Sequence, residues 1–290
     1  MNHFTIKDIE NLSGIKAHTL RIWEKRYGII VPKRKESKRR FYDNEDLKHV
    51  LRITHLYNNG HKISAIANMH KDELKAYEIS HSNSEFGYIK VLLEATLDLN
   101  EQLFIEAFDK AISSFGMQDC MLKIIYPYFE KIGMLWMNNE TLPAQERFAS
   151  NIILKKIILE TGKLDSTNYK KDSEIILFTP PHEYHEIPLL FMHYLLKKSG
   201  SKVYYLGTDV TVDVLEAFTK VNPTYNLYFH VITNLTHAKI DNYLKELTEK
   251  FSDKKIIMSG RLTATVSLKA NNLHLLHSLK EMMAFGNGNL

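Results

Sequence analysis

The segment from Lys16 to Tyr42 holds the residues whose chemistry is easiest to interpret. Six of the eight positions from 33 to 40 are lysine or arginine, and the run ends on two aromatic residues, Phe41 and Tyr42. Cations at this density suit a polyanion, and the phosphates of a nucleic acid are the usual partner. Because a charge run by itself also fits a solvated surface, the surrounding elements must distinguish the two interpretations.

Those surrounding elements have the spacing of a helix-turn-helix. Thr5 can cap a first helix, and Ser13-Gly14 can turn the chain into a second helix from about Lys16 to Tyr27. The inward positions of the second helix are Leu20, Trp23 and Tyr27. Its outward positions are Lys16, His18, Thr19, Arg21, Lys25 and Arg26. Such a helix suits the major groove, and the basic run after it is expected to form a wing along phosphates.

The distribution of charge and the single cysteine narrow the class of protein. The net charge is +4, but residues 1–70 hold 14 Lys/Arg against 7 Asp/Glu, and the remainder holds 24 against 27. A basic end on a near-neutral body predicts a polyanionic partner for that end only. Cys120 lies in an apolar helical stretch, where we expect it to be a core residue. Without a long apolar run or a signal-peptide pattern, a cytoplasmic location with no membrane partner is expected.

The rest of the chain divides into a helical part and an α/β part. A polar, Ser-rich stretch predicts a linker at 73–87, and helical periodicity predicts a four-helix bundle at 88–166. From residue 173, short apolar strands alternate with helices, which predicts a flavodoxin-like, doubly wound parallel sheet over 173–290. Residues 1–72 would be the winged helix-turn-helix domain. The predicted fold class is therefore multidomain, α plus α/β.

Ligands of such sheets bind beyond the carboxyl ends of the strands. The expected strands are 174–180, 202–207, 225–232, 255–260 and 273–277. The loops at their carboxyl ends are 179–186, 207–209, 233–236 and 259–261. No GxGxxG follows the first strand, so a dinucleotide is not expected.

The run Thr19-Leu-Arg-Ile-Trp-Glu-Lys-Arg-Tyr27, followed by Pro32 and Arg39-Arg-Phe-Tyr42, resembles the DNA-binding domain of the MerR family of regulators. The resemblance covers residues 4–70. It implies that Arg21 and the wing residues contact phosphates, with Tyr42 doing so through its hydroxyl. The wing residues meant are Lys38, Arg39 and Arg40.

A regulator of this kind would act on double-stranded promoter DNA. One helix-turn-helix reads only a half-site, so a homodimer, or a tetramer built from dimers, is expected. The resemblance implies that family members bend and untwist the promoter, which would affect RNA polymerase indirectly.

Residues 87–285 resemble the cobalamin-binding modules of light- and cobalamin-responsive MerR relatives. In that family, a histidine in the loop after the first strand can ligate cobalt from below, and His185 stands at this position. An imidazole is a suitable cobalt ligand, and a neighbouring carboxylate, Glu183 or Glu186, would fix its tautomer. Pro188 replaces the glycine of the family's motif, which a helix's first turn tolerates.

Other positions depart further from the family's pattern. The bundle of the family carries Trp, nine residues, then Glu-His over the upper cobalt face; here Trp136 and Glu146 keep the spacing. Arg147 replaces the histidine, and because arginine stays protonated it cannot ligate cobalt. His230-Val-Ile232 and Ser259-Gly260 replace the motifs that admit the nucleotide tail of cobalamin, and His230 is expected to crowd that tail.

Three hypotheses follow for the function. The leading one is a DNA-binding regulator that senses a ligand, with adenosylcobalamin implied as its cofactor. The second is a cofactor-free regulator controlled by a partner protein, since a lone loop histidine is often only solvated. The third is a corrinoid-dependent enzyme subunit. No Gly-rich phosphate loop and no nucleophile with a base supports the third, so the chain is not expected to be an enzyme.

Overall fold

The structure is a computed structural model. It describes residues 3–34, 40–69, 84–137, 143–164, 169, 174–222, 226–232 and 240–288, with the side chains of residues 34 and 134–137 left out. The chain forms two compact units, Met1–Ile152 and Ile153–Leu290. The first unit holds the helix-turn-helix and most of the helical bundle, and the second holds the sheet.

The described part of residues 1–69 forms a winged helix-turn-helix, as predicted. Its helices and strands are α1 (Ile6–Ser13), α2 (Ala17–Tyr27), β1 (Lys33–Arg34), β2 (Arg40–Phe41), α3 (Asn44–Asn58) and α4 (Ile63–Ile66). Capping boxes at Thr5 and Asp43 begin α1 and α3, because each side chain accepts a hydrogen bond from an otherwise unpaired amide. Gly14 ends α1 with a φ of 76°, a left-handed conformation that favours glycine.

Apolar residues of α2 build the core of this domain. Leu20 is 2% exposed and Trp23 is 4% exposed. The Trp23 ring meets Tyr57 of α3 edge to face, with centroids 5.1 Å apart. The interpretation of Trp23 as a core residue is therefore confirmed, whereas Tyr27, also expected inside, is only half-buried.

The described helices of residues 84–162 form a bundle. They are α5 (Glu85–Leu97), α6 (Glu101–Cys120), a π-helical segment (Met121–Ile125), α7 (Tyr126–Met137) and α8 (Pro143–Gly162). Ser84 caps α5, so this helix begins inside the stretch 73–87 expected to be a linker, because the Ser84 hydroxyl accepts from the Gly87 amide at 3.1 Å. Cys120 is completely buried, as expected, and burial raises the pKa of its thiol to about 12.

The second unit contains a parallel sheet with the order β4-β3-β5-β6-β7. Its strands are β3 (Glu174–Phe178), β4 (Lys202–Gly207), β5 (Asn226–His230), β6 (Ile256–Ser259) and β7 (Leu273–Leu276). The helices are α9 (Glu186–Lys198), α10 (Val212–Val221), α11 (Ile240–Lys250) and α12 (Leu279–Gly286). This is the flavodoxin-like order, which confirms the predicted fold class. A 3-10 helix, Arg261–Thr265, was not predicted.

Alternate residues of the strands bury opposite faces of the sheet. Ile176 and Phe178 pack with Leu215 of α10 and Leu244 of α11. On the other face, residues such as Leu177 and Tyr228 pack with Leu189 of α9 and Phe285 of α12. Because the strand order reverses between β3 and β5, the loops that follow these two strands border the crevice where ligands of such sheets bind.

Candidate functional sites

The outward face of α2 is exposed, as a DNA-reading helix requires. Five of its predicted contact residues are exposed and Thr19 is half-buried. The five are Lys16, His18, Arg21, Lys25 and Arg26. The Arg26 guanidinium lies 5.4 Å from the centroid of the Tyr27 ring. The exposed Lys16, Arg21, Lys25 and Arg26 give this face of α2 a basic surface that suits a duplex.

The wing is a two-stranded antiparallel ribbon. Arg34 pairs with Arg40, and Lys33 pairs with Phe41. Lys33, counted among the basic residues of the wing, instead bonds Asp43 and lies 3.6 Å from Asp46 at the start of α3. Part of the basic run thus stabilises the domain. Lys38 and Arg39, two of the predicted phosphate contacts, lie outside the described residues, so their role stays a prediction.

Arg40 and Tyr42 take different positions in the wing. The Arg40 guanidinium is about half exposed and lies 3.4 Å from the Glu24 carboxylate of α2, which ties the wing to the recognition helix. Tyr42 is 2% exposed, and its backbone pairs with that of Phe4. Burial also raises the pKa of the Tyr42 hydroxyl. The side chain is therefore chiefly a core residue, and its predicted contact with a phosphate stays a prediction.

His185 lies at the carboxyl end of β3, next to the strand-order reversal. Its Nδ1 is 2.5 Å from Oε1 of Glu183, and its side chain is 48% exposed. Because a carboxylate only accepts hydrogen bonds, Nδ1 carries the proton and Nε2 is the nitrogen suited to a metal. Glu186, the other carboxylate considered for this role, accepts a hydrogen bond from the Tyr205 hydroxyl at 2.8 Å instead.

Glu183 is completely buried and holds three groups. Its Oε1 also accepts the His185 backbone N–H at 3.0 Å, and its Oε2 accepts the Ile232 N–H at 2.8 Å. Ile232 follows β5, so one carboxylate joins the loops on both sides of the crevice. A buried carboxylate needs such donors, because an uncompensated charge in the interior is strongly unfavourable.

The loop after β3 is also tied to the loop after β4. Asp209 accepts the His182 N–H at 2.8 Å, and the Thr179 hydroxyl accepts the Asp209 N–H at 3.1 Å. His182 and Asp209 both have positive φ angles, 67° and 59°. Sequence reasoning placed Asp209 in a loop at the carboxyl edge of the sheet but gave it no role, although aspartate is a residue type that tolerates a positive φ.

A second buried cluster lies at the ends of β5 and β6. The Ser259 hydroxyl lies 2.6 Å from the Tyr228 hydroxyl and 2.8 Å from Nδ1 of His230. His230 is 5% exposed, and burial lowers its pKa to about 4. Sequence reasoning missed Tyr228, because it lies in a strand where every neighbour is also apolar or aromatic and no pattern distinguishes it.

Gly260 shows how closely the two strand ends approach each other. Its φ is 103°, and a Cβ on this residue would lie 2.1 Å from the carbonyl oxygen of Val231. The site thus fits a corrinoid in one respect and not in another. The imidazole of His185 suits cobalt, whereas the Ser259 hydroxyl bonds Tyr228 and His230 at the position that the sequence resemblance assigns to a nucleotide tail.

The bundle positions of the predicted cofactor site are less fully described. The side chain of Trp136 lies outside the described residues, although its backbone belongs to α7. Glu146 is half-buried and Arg147 is exposed, both in the first turn of α8. Within the described residues, no group of three or more His, Cys, Asp or Glu could hold a metal ion, and no helix is suited to span a membrane.

Comparison with known proteins identifies two domains. Residues 4–73 match the MerR HTH family regulatory protein model, and residues 88–159 match the B12 binding domain model. The HTH-type transcriptional repressor CarH of Myxococcus xanthus is 21% identical over 221 residues, which cover 73% of this chain and 73% of CarH. The repressor CarA of the same organism is 26% identical over 222 residues, covering 75% of this chain and 73% of CarA.

Among solved structures, the monomethylamine corrinoid protein of Methanosarcina barkeri resembles this chain in fold. The TM-score is 0.56 at 16% identity, and the likeness covers 69% of this chain and 96% of that protein. The exposed cations of α2 and the wing indicate DNA binding, and the family model that matches residues 4–73 indicates the same function. The chain therefore contains a MerR-type DNA-binding domain and a B12-binding-type domain, which together make it a DNA-binding transcriptional regulator.

Proposed function

We propose that the chain binds promoter DNA as a homodimer and that a corrinoid, held through His185, controls this binding. The observation that carries the proposal is the Glu183–His185 pair at the carboxyl end of β3. It presents an imidazole in one tautomer at the edge of the sheet where ligands bind. Such a regulator would act in the cytoplasm, where the chromosome is accessible.

The DNA-binding half of the proposal rests on α2 and the wing. One domain reads a half-site, so two copies are needed on a site with two-fold symmetry, and tetramers would pair such dimers. By bending the promoter the dimer would affect RNA polymerase without touching it. Because the two curated relatives are named as repressors, repression is the expected sign.

The corrinoid half of the proposal assigns separate roles to three residues. Glu183 holds the Nδ1 proton of His185, so that Nε2 keeps the lone pair for cobalt. Arg147 places a permanent cation on α8, which cannot replace a cobalt ligand. A bound adenosylcobalamin would supply a cobalt–carbon bond that light can break, so it is the form to test first.

The bonded cluster of Tyr228, His230 and Ser259 predicts which corrinoids bind best. If His185 held the cobalt, the nucleotide part of a bound cobalamin would have to be accommodated elsewhere in the protein. Because the cluster occupies the region where related motifs admit that tail, cobinamide, which lacks the nucleotide, is expected to bind more tightly than cobalamin.

The test uses the full chain, kept in the dark, with adenosylcobalamin and separately with aquocobinamide. We expect a corrin absorption band that stays with the protein through gel filtration, and a change in affinity for duplex DNA on loading. His185→Ala should weaken corrinoid binding by about 10–100-fold, whereas the neighbouring His182→Asn, which tolerates the positive φ, should not.

The same experiment tests the second candidate function, a cofactor-free regulator controlled by a partner protein. The bonded cluster in the sheet is the observation that favours it. If neither corrinoid is retained by the wild-type chain, the corrinoid proposal is wrong and the partner-protein function takes its place.

A further inference from the structure

Polar contacts inside the first unit join the bundle to the DNA-binding domain. Lys48 of α3, 7% exposed, lies 2.6 Å from Asp98 at the end of α5. The Lys131 ammonium of α7 donates to the backbone carbonyls of Leu12 at 2.8 Å and Asn11 at 3.4 Å. We call the latter the Lys131–α1 contact. It reaches the helix that directly precedes the recognition helix.

The Lys131–α1 contact completes the end of α1. The last carbonyls of a helix have no partner within the helix, and cations next to them are favourable. The Gly14 N–H bonds the Glu10 carbonyl at 2.7 Å, which accounts for one of these carbonyls. Lys131 bonds the next two. Burial lowers the pKa of Lys131, because its ammonium has lost part of its hydration and bonds these carbonyls instead.

The end of α1 in turn holds the start of α2. The capping position of α2 is Lys16, which makes no side-chain capping bond. The Glu10 carboxylate performs this role from α1, because Oε2 accepts the Ala17 N–H at 3.1 Å and Oε1 lies 3.1 Å from the Lys16 ammonium. A carboxylate at a helix N-terminus is favourable. The first amide of the recognition helix α2 is therefore held by Glu10 of α1, and Lys131 caps the C-terminal end of α1.

We propose that Lys131 is a positioning residue for DNA binding, which fixes the end of α1 and thereby the start of the recognition helix. The proposal rests on the DNA-binding function and is independent of any corrinoid. A shift of α7 would move Lys131 and with it the end of α1 and the start of α2, so the bundle would control how α2 meets the major groove without touching DNA.

The test replaces Lys131 by methionine and measures binding to a duplex selected from a random pool by the wild-type chain. We expect about 3–10-fold weaker binding with an unchanged dependence on salt, because no phosphate contact is lost. Amide hydrogen exchange should speed up in residues 10–20 and not in α6. Lys131→Arg, which keeps a cation with donors, should restore binding to within about 2-fold of wild type.

Lys123→Met is the matched control. Lys123 lies in the π-helical segment just before α7 and carries the same charge as Lys131, but its ammonium pairs with Asp119 at 2.8 Å and its side chain is 46% exposed. This variant should bind DNA like the wild type. If Lys131→Met also binds like the wild type, or if it lowers the salt slope by about one unit, the proposal is overturned, since the latter would mean a direct phosphate contact.

A double-mutant cycle separates positioning from a general loss of stability. Glu10→Gln and Lys131→Met act on the same end of α1, so their effects on DNA affinity should not add. Additive effects would contradict the proposal. Should Lys131→Met fail to fold, Lys131→Gln keeps one donor, and the cycle with Glu10→Gln is run on that variant with the same criterion.

Discussion

The basic surface of α2 and the loop after β3 were both identified from residue types, yet they use their polar groups differently. Most polar side chains of α2 point into solvent, and one residue from outside, Glu10, holds the helix start. In the loop after β3, the Thr179 hydroxyl bonds the backbones of Glu183 and Asp209, and the Glu183 carboxylate accepts the Ile232 N–H. The first region is open to a large partner, whereas the second is already fixed before any ligand arrives.

Two glycine substitutions, one at the end of α2 and one at the end of β6, should give the largest difference in stability between the DNA-binding domain and the sheet. Gly260→Ala would push a Cβ to 2.1 Å from a carbonyl at a φ of 103°, whereas Gly28→Ala meets no heavy atom within 4 Å at a φ of 64°. We expect the first to lower the free energy of unfolding by about 3 kcal/mol or more and the second by about 1–2 kcal/mol. Urea denaturation of both variants measures the difference, and equal losses would mean that the strand ends can move apart.

The wing provides the next test. Arg39→Ala combined with Arg40→Ala should weaken binding to all duplexes alike, by about 10–100-fold, and lower the salt slope by about two units for each bound subunit. Lys33→Ala is the matched control in the same ribbon, because Lys33 bonds Asp43 and should change stability rather than the salt slope. Fluorescence anisotropy at several salt concentrations measures both. A slope unchanged in the double variant would show that the wing does not lie on the phosphate backbone.

A fall in pH should have a smaller effect than these substitutions, and it should lower the stability of the second unit, which holds the sheet. Burial lowers the pKa of His193 and of His230 to about 4. A histidine with a lowered pKa stabilises the fold above its unfolded pKa of about 6.5, and this contribution is lost as the pH falls towards the folded value. We expect each to remove about 1–2 kcal/mol of stability between pH 7 and pH 5.

His193→Gln tests this assignment, since it removes one titrating group from the stack on Tyr205. Denaturation of the variant at both pH values should show a smaller loss than in the wild type. An identical loss would assign the acid sensitivity to other groups.

Patterns of residue type predicted the elements better than they predicted the contacts. Helical spacing placed Leu20 and Trp23 inside, and the alternation of strands and helices predicted a parallel sheet with helices on both faces, because burial of apolar faces determines both. The partner of His185 was left open between two carboxylates, and the roles of Tyr228 and Ile232 were missed. The contacts of Tyr228 and Ile232 join segments 31 and 49 residues apart, and local spacing carries no information about which segments meet.

The basic run shows the same limit within one domain. Its charge predicted a nucleic acid partner, but charge could not tell Lys33, which bonds the start of α3, from Arg40, which reaches Glu24. The two roles become distinct only in the folded ribbon, where Lys33 lies next to Asp43 and Arg40 lies next to Glu24. The prediction of phosphate contacts therefore rests on Lys38 and Arg39 more than on the basic run as a whole.

The two oxygens of Glu183 also bear on how this domain can evolve. Since one carboxylate fastens the loops after β3 and β5, its removal would damage the sheet in a descendant that never meets a cofactor. A carboxylate should therefore be conserved at position 183 whether or not a ligand binds. The histidine at position 185 is expected to be replaced once the ligand is no longer used. In a set of homologues, the histidine and not the acid would mark the branches that still use a metal.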